Sequence, residues 1–579
     1  MSALLEQALS HHQRGDNARA RRDVSAVLAK EPLNGDAWHL HGVIALQTGQ
    51  YAEALEHLRR AAMLKPNDCA VNVNFAAALS AASHLSQAEH VLKHALTLDG
   101  RSPEAHYQMG ACLLAMGRHE AARPFLAEAV NLRPAWPQAL ELLGNTLFRV
   151  GEHEAGVDCA RRALAMEPNR AACHRIIADG CLRWMQYDQA SEHYRKALAI
   201  APQDPLIHNN YALLLTRLGR ADEALAEYRK TLALVPDMRH AQEGLAFILL
   251  MRGQFKEGWP LYLSRLKAKG TTFALRDGPP PIEDPAQIRG KSVLAWVDQG
   301  IGDQIMFGSI LPDLVAAGAH LTFECSSRLV PIFKRSFPEI AVRPMPTTIM
   351  VSDPLRLQTE PAPKIEGKEF DYQTYLPDAA RFFRNDFDAF PRQRGYLKAD
   401  EALRQKFRES YTDGAKDRPL IGIAWRTTEG TKISAQKTLG LATWQTILEN
   451  RQATFVNLQY GDHREEIQAA SDKFGTRILC DATVDSLTDM DTYAAQVSAM
   501  DLVITTSNAA AHMAGSLNVP AWVMAPAGFG MLWHWFQGRD DSPWYPSVRI
   551  FRQHTPGDWQ QVLLAITAAL DDFCARWQK

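Results

Sequence analysis

The chain is 579 residues long, with 46% hydrophobic and 22% charged residues, a balance that excludes disorder as its main state. Lys and Arg number 63 and Asp and Glu 65, and the resulting net charge of -2 excludes a wholesale basic surface for nucleic acid. No run approaches eighteen apolar residues and Met1 to Gln7 lack a cationic, apolar leader pattern, so no spanning helix is expected and a cytoplasmic location is predicted.

Prolines at 32, 66, 134, 168, 202 and 236 are spaced by 34 residues or twice 34, with Gly100 in the skipped place. Small residues keep the same period at Gly42, Ala76, Gly110, Gly144, Ala178, Ala212 and Ala246. A turn glycine follows it too, at Gly15, Gly49, Gly117, Gly151, Gly219 and Gly253. This is the tetratricopeptide pattern, two antiparallel helices per unit, with small residues where the helices touch and a Pro where the second helix stops. Seven units reach Asp237 and a last one ends near residue 268. The first helix of each pair lines a concave groove, and its sixth position reads Leu40, Asn74, Gln108, Leu142, Ile176 and Asn210. Asn74, Gln108 and Asn210 are candidate acceptor-groove residues, since an amide can pair with a peptide backbone. The alternative is that they simply face solvent.

After residue 268 the helical period stops and Gly278-Pro279-Pro280-Pro281 marks a linker, 269–290. Residues 291–297 read as a buried strand, followed by the loop Gly300-Ile301-Gly302-Asp303 and a helix over 305–315. Further strands are predicted at 321–325, 419–425, 454–459, 501–506 and 520–524, and residues 343–377 read as irregular. The expected fold is a tetratricopeptide α-superhelix over 1–268 followed by α/β lobes at 291–395 and 396–579. Ligands in such doubly wound sheets bind at the carboxyl ends of the strands, which points to the cleft between lobes. Eight cysteines form no CxxC pair, so neither a disulfide framework nor a metal site is suggested.

The first glycine loop is neither GxGxxG nor GxxxxGK[ST]. Asp303 is a general-base candidate, or else it caps the following helix. Thr505-Thr506-Ser507-Asn508 precedes a helix of small residues carrying His512, and a helix start of this kind favours a diphosphate. His512 could instead be a packed helix residue. Arg426 and Lys437 are candidate phosphate partners, with surface salt bridging as the alternative. Gln459 and Tyr460, with Gly300 and Gly302, are candidate contacts to the nucleotide or sugar. Trp533, His534, Trp535, Trp544 and Tyr545 cluster late in the chain and either cover a sugar or pack between lobes.

The glycine loop 300–303, Asp501-Leu502-Val503-Ile504 with Ser507 to Gly515, and Asp541-Ser542-Pro543-Trp544-Tyr545-Pro546-Ser547 give residues 290–570 a resemblance to bacterial two-lobed GT-B glycosyltransferases, especially the heptosyltransferase-like family. The resemblance implies a twin Rossmann-like domain, Asp303 as the base, and Ser507, Asn508 and His512 as the phosphate-binding turn. Ser507-Asn508 stands where that family usually has Asp-Thr/Ser, so donor preference does not carry over. With repeats in front, the layout resembles bacterial protein O-glycosyltransferases such as those that modify flagellin. The implied activity is an inverting, metal-independent transfer from a nucleotide sugar to Ser or Thr of a protein held by the repeats, with no further cofactor. Other readings are a non-catalytic scaffold with a degenerate GT-B domain and a lipopolysaccharide sugar transferase. A homo-oligomer is left open.

Overall fold

The computed structural model describes residues 3–264, 278–297, 300–345, 369–392, 395–412, 417–427, 437–528 and 530–577. Asp298 and Gln299, residues 269–277 of the expected linker, and residues 346–368 of the stretch read as irregular lie outside them. Contacts divide the chain into two units, Met1–Ile207 and His208–Lys579.

The first unit is a stack of helical hairpins. Its helices run from α1 (Ala3–Gln13) to α12 (Tyr187–Ile200) at the spacing the sequence dictates. Asp16, Asn34, Asp68 and Ser102 each accept a backbone N–H two or three positions into the next helix. The turn glycines hold positive φ, from +75° at Gly117 to +93° at Gly151, and where the period skips glycine Ser83 and Met185 take the same left-handed turn. Small residues let the hairpins close. A Cβ on Gly144 of α9 (Pro137–Arg149) would lie 2.9 Å from the Gly156 carbonyl oxygen of α10 (His153–Met166), and one on Gly156 would lie 2.7 Å from the Gly144 oxygen.

The second unit contains two more hairpins and an α/β body. The hairpins are α13 (Pro205–Arg217, split by the unit boundary) with α14 (Ala221–Leu234), and α15 (Arg239–Met251) with α16 (Phe255–Tyr262). Strands β1 (Ser292–Trp296), β2 (His320–Cys325), β3 (Ala341–Pro344) and β4 (Tyr372–Tyr375) form one parallel sheet in the order β3-β2-β1-β4. β5 (Leu420–Ala424), β6 (Thr454–Asn457), β7 (Ile478–Leu479), β8 (Leu502–Thr506), β9 (Ala521–Ala525), β10 (Asp541–Ser542) and β11 (Tyr545–Arg552) form the other, in the order β10-β11-β9-β8-β5-β6-β7. Among the described residues only the short edge strand β10 pairs antiparallel. Both sheets start a crossover to either side of their first strand, the doubly wound arrangement. β5 and β8 are buried along their whole length, which is why they read as unbroken apolar runs.

The single helix expected over 305–315 is two, α17 (Ile301–Gly308) and α18 (Leu311–Ala316), divided at Ser309 and Ile310 ahead of Pro312. β4 lies inside the stretch read as irregular. The two sheets are tied by Arg335 of α19 (Val330–Ser336), which donates two 2.6 Å hydrogen bonds to the Asp491 carboxylate on the far side.

The last hairpin is built into this body. Trp259 Nε1 donates to the Arg384 carbonyl at 2.8 Å, after α20 (Leu376–Phe383). Phe255 packs against Phe387, Phe390 and Phe536, with ring centroids 5.1 to 5.6 Å apart. Arg384, fully buried beneath them, donates to Asp313 Oδ2 at 2.8 Å and the Ser309 carbonyl at 2.9 Å. A buried guanidinium needs such partners, and both of its terminal nitrogens have them.

Candidate functional site

The site is built at the carboxyl ends of β1, β5 and β8. Gly300 caps α17 and Asp303 sits in its first turn, where the helix end favours a carboxylate. α17 packs against α25 (Ala509–Ser516), the helix that follows β8. The approach is close because residue 302 has no side chain: a Cβ there would lie 2.8 Å from His512 Cδ2. The first turn of α17, which carries Asp303, is thereby set against His512 of α25.

Lys437 joins them. It is 8% exposed, and burial pushes its ammonium pKa down to about 8, with the Asp303 charge acting the other way. Burial holds the His512 imidazole down at about 3, helped by the charge of Lys437, so it is neutral near pH 7. His512 Nδ1 shares a 2.9 Å hydrogen bond with the Tyr545 hydroxyl and the ring stacks on Trp535, centroids 5.2 Å apart. It can take part in a hydrogen bond at this end of the helix but supplies no charge there. The Tyr545 hydroxyl is held well above its ordinary value, first by burial and then by Tyr396 and Asp303. It stays protonated, fixing the ring of His512.

The turn before α25 is cross-braced. Asn508 Oδ1 accepts from the Ala510 N–H at 2.9 Å and from Thr505 Oγ1 at 3.0 Å, and its Nδ2 donates to the Arg426 carbonyl at 3.1 Å. This ties the ends of β5 and β8 together. Ser507 Oγ accepts from Trp535 Nε1 at 2.6 Å. Gln459 Oε1 accepts from the N–H groups of Trp425 (3.0 Å) and Arg426 (2.8 Å), so its oxygen braces the chain after β5. Tyr460 is half-buried just beyond it. The Arg426 guanidinium donates to Glu466 Oε2 at 3.0 Å, and Glu466 Oε1 accepts from the Leu441 N–H at 2.9 Å. That arginine's charge is already partly balanced.

Asp303, Gly300, Gly302, Lys437, Ser507, Asn508 and His512 therefore belong to one neighbourhood. Arg426 and Gln459 reach it through the end of β5. Glu466 and Tyr396 had no signal in the sequence, because each acts through a partner far along the chain. In the repeats, Asn74 Nδ2 pairs with His39 Nε2 at 2.8 Å, Gln108 is half-buried, and Asn210 Oδ1 accepts from Asn209 Nδ2 at 3.0 Å.

A family model described as Tetratricopeptide repeat matches residues 5–68, 141–205, 185–239 and 209–269, and a second of the same description matches 79–146. The N-terminal part of the chain through residue 269 is thus made of tetratricopeptide repeats. Protein FlbA of Caulobacter vibrioides is 33% identical over 340 residues, 57% of this chain and 54% of that protein. The chain spans about half the length of this curated relative. Among solved structures, the APC/C hetero-tetramer Cut9-Hcn1 is similar at 18% identity and a TM-score of 0.38, covering 42% of this chain and 48% of that one. MamA of Desulfovibrio magneticus RS-1 is similar at 25% identity and a TM-score of 0.27, covering 29% and 94%.

Proposed function

We propose that this chain transfers a sugar from a nucleotide-activated donor to Ser or Thr hydroxyls of a protein held by its repeats, with flagellin the first acceptor to test. The observation that carries the reading is the close approach of α17, which bears Asp303, to His512 of α25, with the buried Lys437 near enough to feel the Asp303 charge. In a GT-B reading, Asp303 takes the proton of the acceptor hydroxyl as that oxygen attacks the anomeric carbon. The bond to the donor phosphate breaks on the opposite face, which inverts that carbon. Lys437 and the N–H groups at the start of α25 stabilise the departing phosphate, so the scheme calls for no bound metal. Tetratricopeptide repeats suit the holding of a protein rather than a lipid acceptor.

Asp303→Asn is expected to cut transfer at least about 100-fold while nucleotide binding persists. Intact-mass spectrometry of flagellin incubated with enzyme and donor reads the first quantity, and calorimetry the second. Unchanged glycan mass with Asp303→Asn removes Asp303 from the chemistry.

One observation favours the scaffold reading. Arg426 is engaged by Glu466 and Ser507 by Trp535, as in a site whose polar groups serve the fold. A chain that gives no heat with any nucleotide sugar would establish that reading.

A further inference from the structure

The second repeat hairpin brings together three side chains able to ligate a metal. α3 (Gly35–Gln47) carries His41, and α4 (Tyr51–Leu64) carries Glu53 and His57. Glu53 and His57 are four positions apart, so they stand on one face of α4, a turn from each other. The helices meet closely because residue 42 has no side chain: a Cβ there would lie 2.4 Å from Leu58 Cγ. His41, next to that glycine, thereby meets His57, and the two rings stack with centroids 4.1 Å apart and planes 24° from parallel. One ring nitrogen of each histidine and one carboxylate oxygen of Glu53 lie within 4.8 Å of one another. His41 Nε2 is 4.0 Å from Glu53 Oε1.

The fold does not use these groups up. His41 is 8% exposed. Nδ1 of His41 and Nδ1 of His57 are both buried without a hydrogen-bond partner among the described residues. Buried polar atoms in folded proteins are nearly always paired, and stacked imidazoles cannot pair with each other through their faces. An ion bound by the ring nitrogens would supply a partner. Glu53 Oε1 accepts from Arg21 of α2 (Asn17–Lys30) at 2.5 Å. That bond orients the carboxylate, which keeps further lone pairs and a second oxygen to give. Arg21 repels a cation while Glu53 attracts it, so the binding must come chiefly from the imidazoles. The Glu53 side chain is 33% exposed, which gives an ion a way in.

We infer that His41, Glu53 and His57 bind a divalent transition-metal ion of the zinc type, which ties α3 to α4 and leaves a fourth position to water. The inference stands apart from the transferase reading, and neither needs the other. The donor set selects the ion. Two imidazoles and one carboxylate suit zinc, whereas magnesium and calcium take oxygen donors. Zinc bonds of about 2.0–2.2 Å put tetrahedral donors about 3.4 Å apart, so the widest pair must close by at most about 1.4 Å. An ordinary histidine pKa of about 6.5 leaves both rings with a lone pair to give just above neutral pH. The cysteine spacing carries no trace of such a site, because its ligands are histidines and a carboxylate on two helices.

The test uses the full, untagged chain, stripped of metal with a chelator and dialysed, with Zn²⁺, Co²⁺ and Mg²⁺ as probes at pH 7.5. Calorimetry is expected to show one Zn²⁺ per chain and no heat with Mg²⁺, and Co²⁺ to give the visible absorption of a four-coordinate nitrogen–oxygen site. His57→Gln should weaken Zn²⁺ binding at least about tenfold, and Glu53→Gln likewise. His174→Gln changes a histidine that pairs instead with His193, Nδ1 to Nδ1 at 3.0 Å, and should leave binding as it is. Zn²⁺ should raise the melting temperature of the wild-type chain and not that of His57→Gln, read by circular dichroism. Should His57→Gln lose its helicity, Glu53→Gln, at a more exposed side chain, decides. A wild-type chain that binds no stoichiometric Zn²⁺, or folded variants at 53 and 57 that bind it as tightly as wild type, would overturn the proposal. So would an equal loss in His174→Gln, or Mg²⁺ binding as strong as that of Zn²⁺.

Discussion

Lys437 shows how burial sets a working charge. Its folded pKa of about 8 lies below the value of 10.5 for a solvated lysine. Holding it charged inside the protein costs stability at neutral pH, and that cost is relieved as pH rises from about 8 towards 10.5, because the folded state loses its proton first. Binding of an anionic nucleotide should run the other way and weaken as pH rises through about 8. Lys437→Gln should flatten both profiles, which denaturant titrations and calorimetry at pH 7, 8 and 9 would read. A wild-type binding curve that is flat across this range would detach Lys437 from the anion. At the neighbouring position, Gly302→Ala would place a methyl group 2.8 Å from His512, so α17 or α25 must shift. We expect a loss of about 1–3 kcal/mol in stability. On the proposed mechanism transfer should fall further, because Asp303 sits on the same turn of α17. An Ala variant with unchanged melting and turnover would show that the approach has slack.

At the scale of elements, the repeats were legible because each hairpin repeats one local problem. The turn needs a left-handed residue and the helix contact needs a small one, so the period appears in the residues themselves. Gly144 and Gly156 show the limit of what a small residue allows, each facing the other's carbonyl. Gly156→Ala should destabilise the α9–α10 hairpin by about 1–3 kcal/mol, read as a lower melting temperature by circular dichroism of the full chain. No change would mean that the two helices part without cost. The buried parallel strands were equally legible as apolar runs. The edges were not. β4 is four residues long within a proline-rich stretch, and β10 with β11 lies among a cluster of aromatics that read as a sugar cover or as packing between lobes, with no strand signal. The candidate site was legible where a loop follows a strand, as at Asp303 and Ser507. It was illegible where a residue acts across the sheet, as Glu466 does on Arg426.

At the scale of the molecule, the sequence changes pattern near residue 268, whereas the contacts divide the chain at Ile207. The two differ because sequence period reports what a segment is made of, and contacts report what it is packed on. α13 to α16 carry the repeat pattern yet share their contacts with the α/β body. Phe255 and Trp259 of α16 are each 1% exposed and meet Phe387, Phe536 and Trp533, aromatics more than a hundred residues away. Removing either ring should cost about 3–5 kcal/mol, so the body depends on a hairpin that looks like part of another domain. A fragment of residues 208–579 is therefore expected to fold and melt cooperatively. A fragment of 278–579, cut where the pattern changes, is expected to aggregate or melt without a sharp transition, since it exposes Trp533, Phe387 and Phe536 together. Calorimetric scans of the two fragments decide the matter, and equal cooperative melting would mean that the last hairpin only leans on the body and does not complete it.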